Sequence, residues 1–328
     1  MLKTGLNPYG LTYHLGLQGK GSPRANPHSK GLEGLITIAT ELKAKTLEIF
    51  DPWLAEMDDT QLAALSHRLK SLGMTPIISA GLNMMGPVES ALRSAKALGA
   101  KTIRLGLSPV LEGSRNAWGA KWFELNSEIR AGLKKYSPMA TDQDVVFGIE
   151  NHQDFTSQEL VDFCSEFGTS VRITLDTGNS FPVGEAPLDF AKRVAPYVCH
   201  VHLKDYRVLF TAQGYSLIRC AIGDGAVPFK DIVEVLGQHH RSLTAVLEPG
   251  ALDARHIRFL NPNWWHGYAP CAASSFAAAL AAAQVNRLFD DVDCRTPWER
   301  KADSELEAYE LAMIRHSADN MRKLGLMD

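Results

Sequence analysis

Val145-Val146-Phe147-Gly148-Ile149-Glu150-Asn151-His152 runs apolar and then stops on an acid, an amide and an imidazole. A run rich in β-branched and aromatic residues fits a parallel strand covered on both faces, and polar groups at its carboxyl end stand where α/β folds place their sites. Three later stretches repeat the pattern: Arg172-Ile173-Thr174-Leu175-Asp176-Thr177-Gly178-Asn179, Val198-Cys199-His200-Val201-His202-Leu203-Lys204-Asp205 and Thr244-Ala245-Val246-Leu247-Glu248-Pro249-Gly250. Four consecutive strands therefore offer Glu150, Asp176, His202 and Glu248 at their ends. Asp176 follows Glu150 by 26 residues and His202 follows Asp176 by 26 again, close to one compact strand-helix unit of a parallel barrel. The longer interval of 46 to Glu248 leaves room for an extra loop, with Gly214 and Gly223-Asp224-Gly225, ahead of a helix beginning near Pro228.

The chain before this segment alternates in the same way. Residues 11–17 read as strand one with His14 on it, 46–50 as strand two carrying Glu48, 76–80 as strand three and 102–107 as strand four. Helices are expected over 32–42, 59–72, 88–98 and 123–136, with Asp59 as an N-cap and Gly73 and Gly99 as stops. Residues 81–85 form the loop above strand three. Eight strands with right-handed crossovers favour a closed (β/α)8 TIM barrel over an open doubly wound sheet. The barrel spans about residues 9–290 of one domain, 1–328, with a C-terminal helical extension.

After Glu248 the chain runs on for 80 residues, more than one closing helix requires. Residues 255–270 hold Asn261-Pro262-Asn263-Trp264-Trp265-His266-Gly267-Tyr268, an aromatic loop placed to fold over the mouth. For Trp264 and Trp265, lid packing and substrate contact are both open. The Ala-rich stretch 274–289 is expected as the eighth barrel helix. Residues 298–324 are expected as a long charged helix on the barrel exterior or at a subunit interface, so a homo-oligomer is open.

At 328 residues, 45% hydrophobic and 22% charged, the chain can bury a large core. A net charge of −3 gives no reason to expect nucleic acid or an anionic membrane as partner. No stretch reaches membrane-spanning length without Gly, Pro or charge, and the start lacks the apolar region of a signal peptide, so a cytoplasmic location is expected. The five cysteines are scattered and free of CxxC, which argues against a disulfide framework or a structural zinc site.

One buried carboxylate is usually a satisfied structural group. Four charged or imidazole groups at the ends of consecutive strands would carry a heavy desolvation cost unless a cation or salt bridges neutralised them. Three carboxylates and one imidazole make a hard, oxygen-rich set that suits Mn²⁺ or Mg²⁺ with positions left for substrate oxygens, and Co²⁺ or Zn²⁺ less well. Residues two apart on a strand face the same way. His152 thus shares the face of Glu150, and His200 and Lys204 share that of His202. Beyond the ligands, His152 and Lys204 are candidates to meet substrate, while His200 lies deeper.

Glu150-Asn151-His152, Leu175-Asp176-Thr177-Gly178-Asn179, His202-Leu203-Lys204-Asp205, the Gly-Asp-Gly stretch and Glu248 resemble the signatures of the xylose-isomerase-like TIM-barrel superfamily, the sugar isomerase/epimerase group, over roughly residues 9–290. The resemblance implies one divalent cation held by the matched Glu150, Asp176, His202 and Glu248, gripping adjacent oxygens of a keto sugar while an enediolate forms. Ketose 3-epimerases of the group carry a His three residues after the metal Asp and an Arg after the metal His strand. Here Asn179 stands at the first place and Lys204-Asp205-Tyr206-Arg207 follows the second, a tail similar to that of lyase branches such as inosose dehydratase. Glu248-Pro249-Gly250-Ala251-Leu252-Asp253-Ala254-Arg255-His256-Ile257-Arg258 with Trp264-Trp265 resembles most the 3-oxo-isoapionate decarboxylases.

The expected function is therefore a metal-dependent lyase on a keto sugar acid, with decarboxylation of a 3-oxo acid preferred. A ketose isomerase or 3-epimerase, or a β-eliminating dehydratase, is the alternative. Decarboxylation of a β-keto acid needs an electrophile at the ketone and no base for its first step. His152, or else Lys204, would supply the proton, and Lys204, Arg207 and Arg219 could orient the carboxylate, with a surface role equally open for either Arg. His14 and Asn179 are further substrate-binding candidates. Epimerisation would need Glu150 and Glu248 as opposed bases. A DNA-repair endonuclease of this barrel type would want more His at strand ends and a basic surface, and a sugar sensor need not keep four ligands.

Overall fold

The structure is a computed structural model that describes residues 2–82, 85–289 and 293–328. The strands are β1 (Leu2–Leu6), β2 (Thr46–Phe50), β3 (Thr75–Gly81), β4 (Thr102–Gly106), β5 (Val146–Glu150), β6 (Val171–Asp176), β7 (Val198–Leu203), β8 (Tyr206–Thr211), β9 (Gly214–Arg219), β10 (Leu243–Leu247) and β11 (Arg255–Ile257). Eight of them, in the order β1-β10-β7-β6-β5-β4-β3-β2, close into a parallel barrel. The fold is a TIM barrel. The strands are short and buried on both faces, as parallel strands covered by helices must be.

The helices are α1 (Gly31–Glu41), α2 (Asp51–Ala55), α3 (Asp59–Ser71), α4 (Val88–Leu98), α5 (Lys121–Asp142), α6 (Ser157–Phe167), α7 (Pro187–Val194), α8 (Phe229–Gly237), α9 (Ala273–Ala283) and α10 (Leu306–Lys323). Their starts follow capping chemistry. Asp58, one residue before the expected Asp59, caps α3 in a reciprocal box with Gln61, and Thr156 does the same for α6 with Glu159. Helix α5 outruns the expected 123–136 and continues through Pro138.

Strand one is Leu2–Leu6, not 11–17. The alternation Leu11, Tyr13, Leu15 that reads as a strand buries these side chains in turns instead, closed by Leu15 N to Leu11 O (2.9 Å) and Gly16 N to Tyr13 O (3.1 Å). Leu2–Leu6 is only five residues long and carries Gly5, whose added Cβ would sit 1.6 Å from the Thr46 carbonyl oxygen. Close approach of two backbones is what that glycine permits.

The eighth barrel helix is α10, not the Ala-rich segment. A helix filling that gap needs a stripe of bulky apolar groups. Leu306, Ile314, Ala318 and Met321 of α10 are fully buried, Arg315 pairs with Glu41 of α1 at 2.8 Å, and Thr4 of β1 donates to the Leu326 carbonyl at 2.6 Å. Helix α9 buries only Ala279 and Ala283 and lies instead beside the mouth, where Phe276 meets Trp265 and Phe259 at 5.2 and 5.1 Å. The loop foreseen before residue 228 contains the antiparallel hairpin β8–β9, to which β11 adds a third strand. The loop foreseen at 81–85 lies partly outside the described residues. None of the described helices is long and apolar enough to cross a membrane.

If α10 closes the barrel, Ile314→Ala removes a fully buried side chain from the main core and is expected to cost roughly 2–5 kcal/mol in chemical denaturation. A loss within about 0.5 kcal/mol would mean that the helix merely rests on the surface.

Candidate metal centre at the barrel mouth

Strand ends gather the charged groups. Register places Asp176 opposite His202 and His202 opposite Val246, so β6, β7 and β10 deliver their polar ends at one height. Glu150 ends β5 beside them, and Glu248 follows β10 with its N–H bonded to the Leu203 carbonyl at 2.9 Å. Glu150, Asp176, His202 and Glu248 each offer a ligand atom, and these atoms all lie within 4.8 Å of one another.

The residue after two of these acids fastens its strand to the next. Asn151 exchanges two hydrogen bonds with the backbone of Asp176, at 2.8 and 2.7 Å. Thr177 Oγ1 donates to the Lys204 carbonyl at 2.7 Å and accepts from the Lys204 N–H at 2.9 Å. The Gly-Asp-Gly stretch wraps Asp205, which accepts from the N–H groups of Gly223, Gly225 and Val227. A Cβ on Gly225 would lie 2.3 Å from the Asp205 carboxylate, so the wrap requires glycine there.

Each acid is matched by a cation. Glu150 is hydrogen-bonded by the Arg104 guanidinium and lies 3.0 Å from His202 Nδ1. Lys204 Nζ stands 2.5 Å from both Asp176 and Glu248, and Asn7 donates to Glu248. His202 presents Nδ1 to Glu150 and Glu248 (3.0 and 2.9 Å) and Nε2 to Glu48 at 2.6 Å. Glu48 also meets His200 Nε2 at 3.0 Å, and Thr244 lies 2.7 Å from His200 Nδ1.

Charge compensation shows in the titration of these groups. Burial works against ionisation of Glu150, but Arg104, His152 and His202 outweigh it and hold the carboxyl well below its ordinary range. Burial likewise raises Glu248, yet Lys204 and His202 bring it down to about 2. Burial raises Asp176 to about 7 even with Lys204 beside it. The imidazole of His202 resists charging because it is buried, but Glu48, Glu248 and Glu150 raise it well above its ordinary value. His152 is lowered to about 4 by burial, with Arg104 and Lys204 adding to the effect and Glu150 opposing it.

The residues present fit a divalent cation. Three carboxylates surround a His202 Nδ1 that must carry a proton to bond two of them, and a cation is the natural replacement for that proton. Glu48 on Nε2 orients the ring as carboxylate partners of metal-bound histidines do. The oxygen-rich donor set favours a hard ion.

A cavity of about 380 Å³ opens above the cluster, and His152, Lys204, Glu248, Arg104, Tyr206 and Arg255 are among its walls. His152 and Lys204 thus stand where strand parity places them, and His200 is buried below. Asn179 bonds Asp176 Oδ2 at 2.7 Å and so faces the acid. Five other expected substrate contacts lie elsewhere. His14 is off any strand, 2.8 Å from Glu307 of α10. Arg207 donates to the Asn286 carbonyl and Arg219 to that of Gly10, and both line a separate cavity against α10. The β8–β9 hairpin carries them sideways. Trp264 and Trp265 are outside the cavity lining. Their indole N–H groups are spent on the carbonyls of Glu112 and Phe259 (3.1 and 2.8 Å), and Trp264 stacks on Tyr268 at 5.0 Å, which favours packing.

Strand-end spacing does not point to Glu48 or Arg104, yet both meet the cluster. The signal was available, since each is a charge inside an apolar strand, Thr46-Leu47-Glu48-Ile49-Phe50 and Thr102-Ile103-Arg104-Leu105-Gly106.

A parallel barrel whose mouth gathers three carboxylates and an imidazole defines the class. The chain belongs to the xylose isomerase-like TIM barrel family, whose model matches residues 36–260. Among curated proteins it is 27% identical over 220 residues to the "Uncharacterized protein YihM" of Escherichia coli, covering 64% of this chain and 65% of that one. It is 21% identical over 246 residues to an inosose dehydratase of Clostridium botulinum, covering 67% of this chain and 74% of the relative. Among solved structures it resembles a D-psicose 3-epimerase, with a TM-score of 0.56 at 16% identity and 99% of each chain covered, a likeness of fold.

Glu48 serves two partners, His200 and His202, with no exposure to solvent. Glu48→Ala leaves the Nε2 atoms of His200 and His202 buried without an acceptor and is expected to cost about 3–5 kcal/mol, measured by denaturation of the metal-free protein. A cost below about 1 kcal/mol would show that the two rings find other partners.

Proposed function

We propose that this protein is a divalent-metal-dependent lyase that decarboxylates a 3-oxo sugar acid, such as 3-oxo-isoapionate. One observation carries the reading. Glu150 and Glu248, the two carboxylates an epimerase would use as opposed bases, are each held by a cation, Arg104 and Lys204. A carboxylate so held is a poor base. Decarboxylation tolerates this, because its first step breaks a carbon–carbon bond and moves the electron pair into the ketone with no proton removed.

Glu150, Asp176, His202 and Glu248 would hold the cation. Bound there, a divalent ion supplies a Lewis acid for the ketone and an adjacent oxygen. Arg104 Nε is buried with no hydrogen-bond partner, so a substrate oxygen can complete it. CO₂ leaves, and the resulting enolate takes one proton at carbon. His152 at the cavity wall, neutral at pH 7, would relay that proton from water in this reading, with Lys204, which stays protonated, the second candidate. A small sugar acid suits a cavity of about 380 Å³.

A second reading, β-elimination of water from a keto sugar, is favoured by the inosose dehydratase relative and by the lowered pKa of His152, which leaves a neutral imidazole free to accept a proton. The location is proposed as cytoplasmic and the partner as a small sugar acid.

Metal-loaded protein incubated in D₂O with 3-oxo sugar acids and simple ketoses separates these reactions. Expected are CO₂ release and one deuterium in the product, with His152→Ala slowing turnover by about 10²–10⁴-fold at unchanged metal content. Rapid exchange at C3 of a ketose with no CO₂ from any 3-oxo acid would replace this reading with epimerisation, and loss of water would favour the dehydratase.

A further inference from the structure

Among the described residues three cationic side chains line the mouth cavity, Arg104, Lys204 and Arg255, and they differ in what already holds them. Arg104 is paired with Glu150, and Lys204 with Asp176 and Glu248. The charges of both are spent on the cluster. Arg255 makes no hydrogen bond or ion pair through its side chain to any described residue, and its Nε is buried with no partner. A buried guanidinium donor left unmade is costly, so a wall carrying one is completed by whatever enters.

Its position is fixed. Arg255 opens β11 and pairs with Leu217 of β9, while His256 pairs with Ser216. The hairpin that carries Arg207 and Arg219 away from the mouth is therefore the same device that brings Arg255 to it. Asp253, two residues earlier, is exposed and feels the charge of Arg255, which opposes the upward push of burial on its carboxyl, but no ion pair joins the two side chains.

We propose that Arg255 is the residue that selects an anionic ligand, binding the carboxylate of a sugar acid through its planar fork. Arginine suits this role because its donors match the two carboxylate oxygens. The proposal deepens the lyase reading of the same mouth and rests on it only for the identity of the acid. It also separates capture from chemistry. A carboxylate departing as CO₂ loses its charge in the transition state, so a cation beside it favours the bound acid over the reacting one. Loss of Arg255 should therefore raise KM without lowering kcat.

The test uses unreactive probes, so that it stands whether or not CO₂ is released. Metal-loaded wild type, Arg255→Gln and Arg255→Lys are titrated calorimetrically with L-threonate and with erythritol, its uncharged four-carbon counterpart, after equal metal content and melting temperature are confirmed. Arg255→Gln is expected to weaken threonate by about tenfold or more while erythritol stays within about threefold, and Arg255→Lys to fall between it and wild type. A smaller loss for threonate, or an equal loss of both ligands, overturns the proposal. Should Arg255→Gln fail to fold, Arg255→Lys decides alone: affinity for threonate equal to wild type overturns it, and a selective loss supports it. Absence of any decarboxylation by wild type would instead remove the lyase reading and leave these affinities interpretable.

Discussion

Four carboxylates buried at one end of a barrel are the constraint on which this molecule is built. Glu48, Glu150, Asp176 and Glu248 lie in a space from which water is almost excluded, and an isolated carboxylate there would be prohibitive. Arg104, His202 and Lys204 answer them, each within hydrogen-bond reach of at least one acid. Such a network is costly to assemble compared with an apolar core and strongly disrupted by losing one member. Its persistence here makes sense if the positions serve a ligand.

Much of the surrounding structure maintains that geometry. Asn151 and Thr177 tie neighbouring strands together at the height of the ligands. Glu48 reaches from β2 across the barrel to two histidines of β7, so strands far apart in sequence share one proton network. Helix α10 returns from the far end of the chain to seal β1 and β10, and its Glu310 accepts the N–H groups of Tyr13 and His14. The loop over the mouth is pinned by Arg115, whose guanidinium lies 4.0 Å from the Tyr268 ring and bonds the Gly267 carbonyl.

Where local chemistry decides, the sequence was readable. Strands β5, β6, β7 and β10 announce themselves as apolar runs ending in acid or imidazole, and period two placed His152 and Lys204 toward the cavity. What it left hidden depends on tertiary competition. Residues 11–17 alternate like a strand but are held in turns by α10, and no local pattern says which of two C-terminal helices fills the last gap; bulk does, through Ile314 and Met321 against alanine. Arg207 and Arg219 were expected at the mouth because they follow β7 in sequence, but a hairpin reverses the chain there. Arg255 reaches the mouth through the pairing of β11 with β9, a contact across about 40 residues.

A cation bound at this site would replace the proton that His202 shares with Glu150 and Glu248. Titrating metal-free protein with Mn²⁺ at pH 7, in two buffers of different ionisation heat, measures both stoichiometry and proton release. One ion per chain with release of between about one and two protons is the result this structure predicts, because His202 is held protonated and Asp176, raised to about 7, is partly protonated until the ion arrives. Absence of saturable binding, or equal binding by Asp176→Ala, would contradict it.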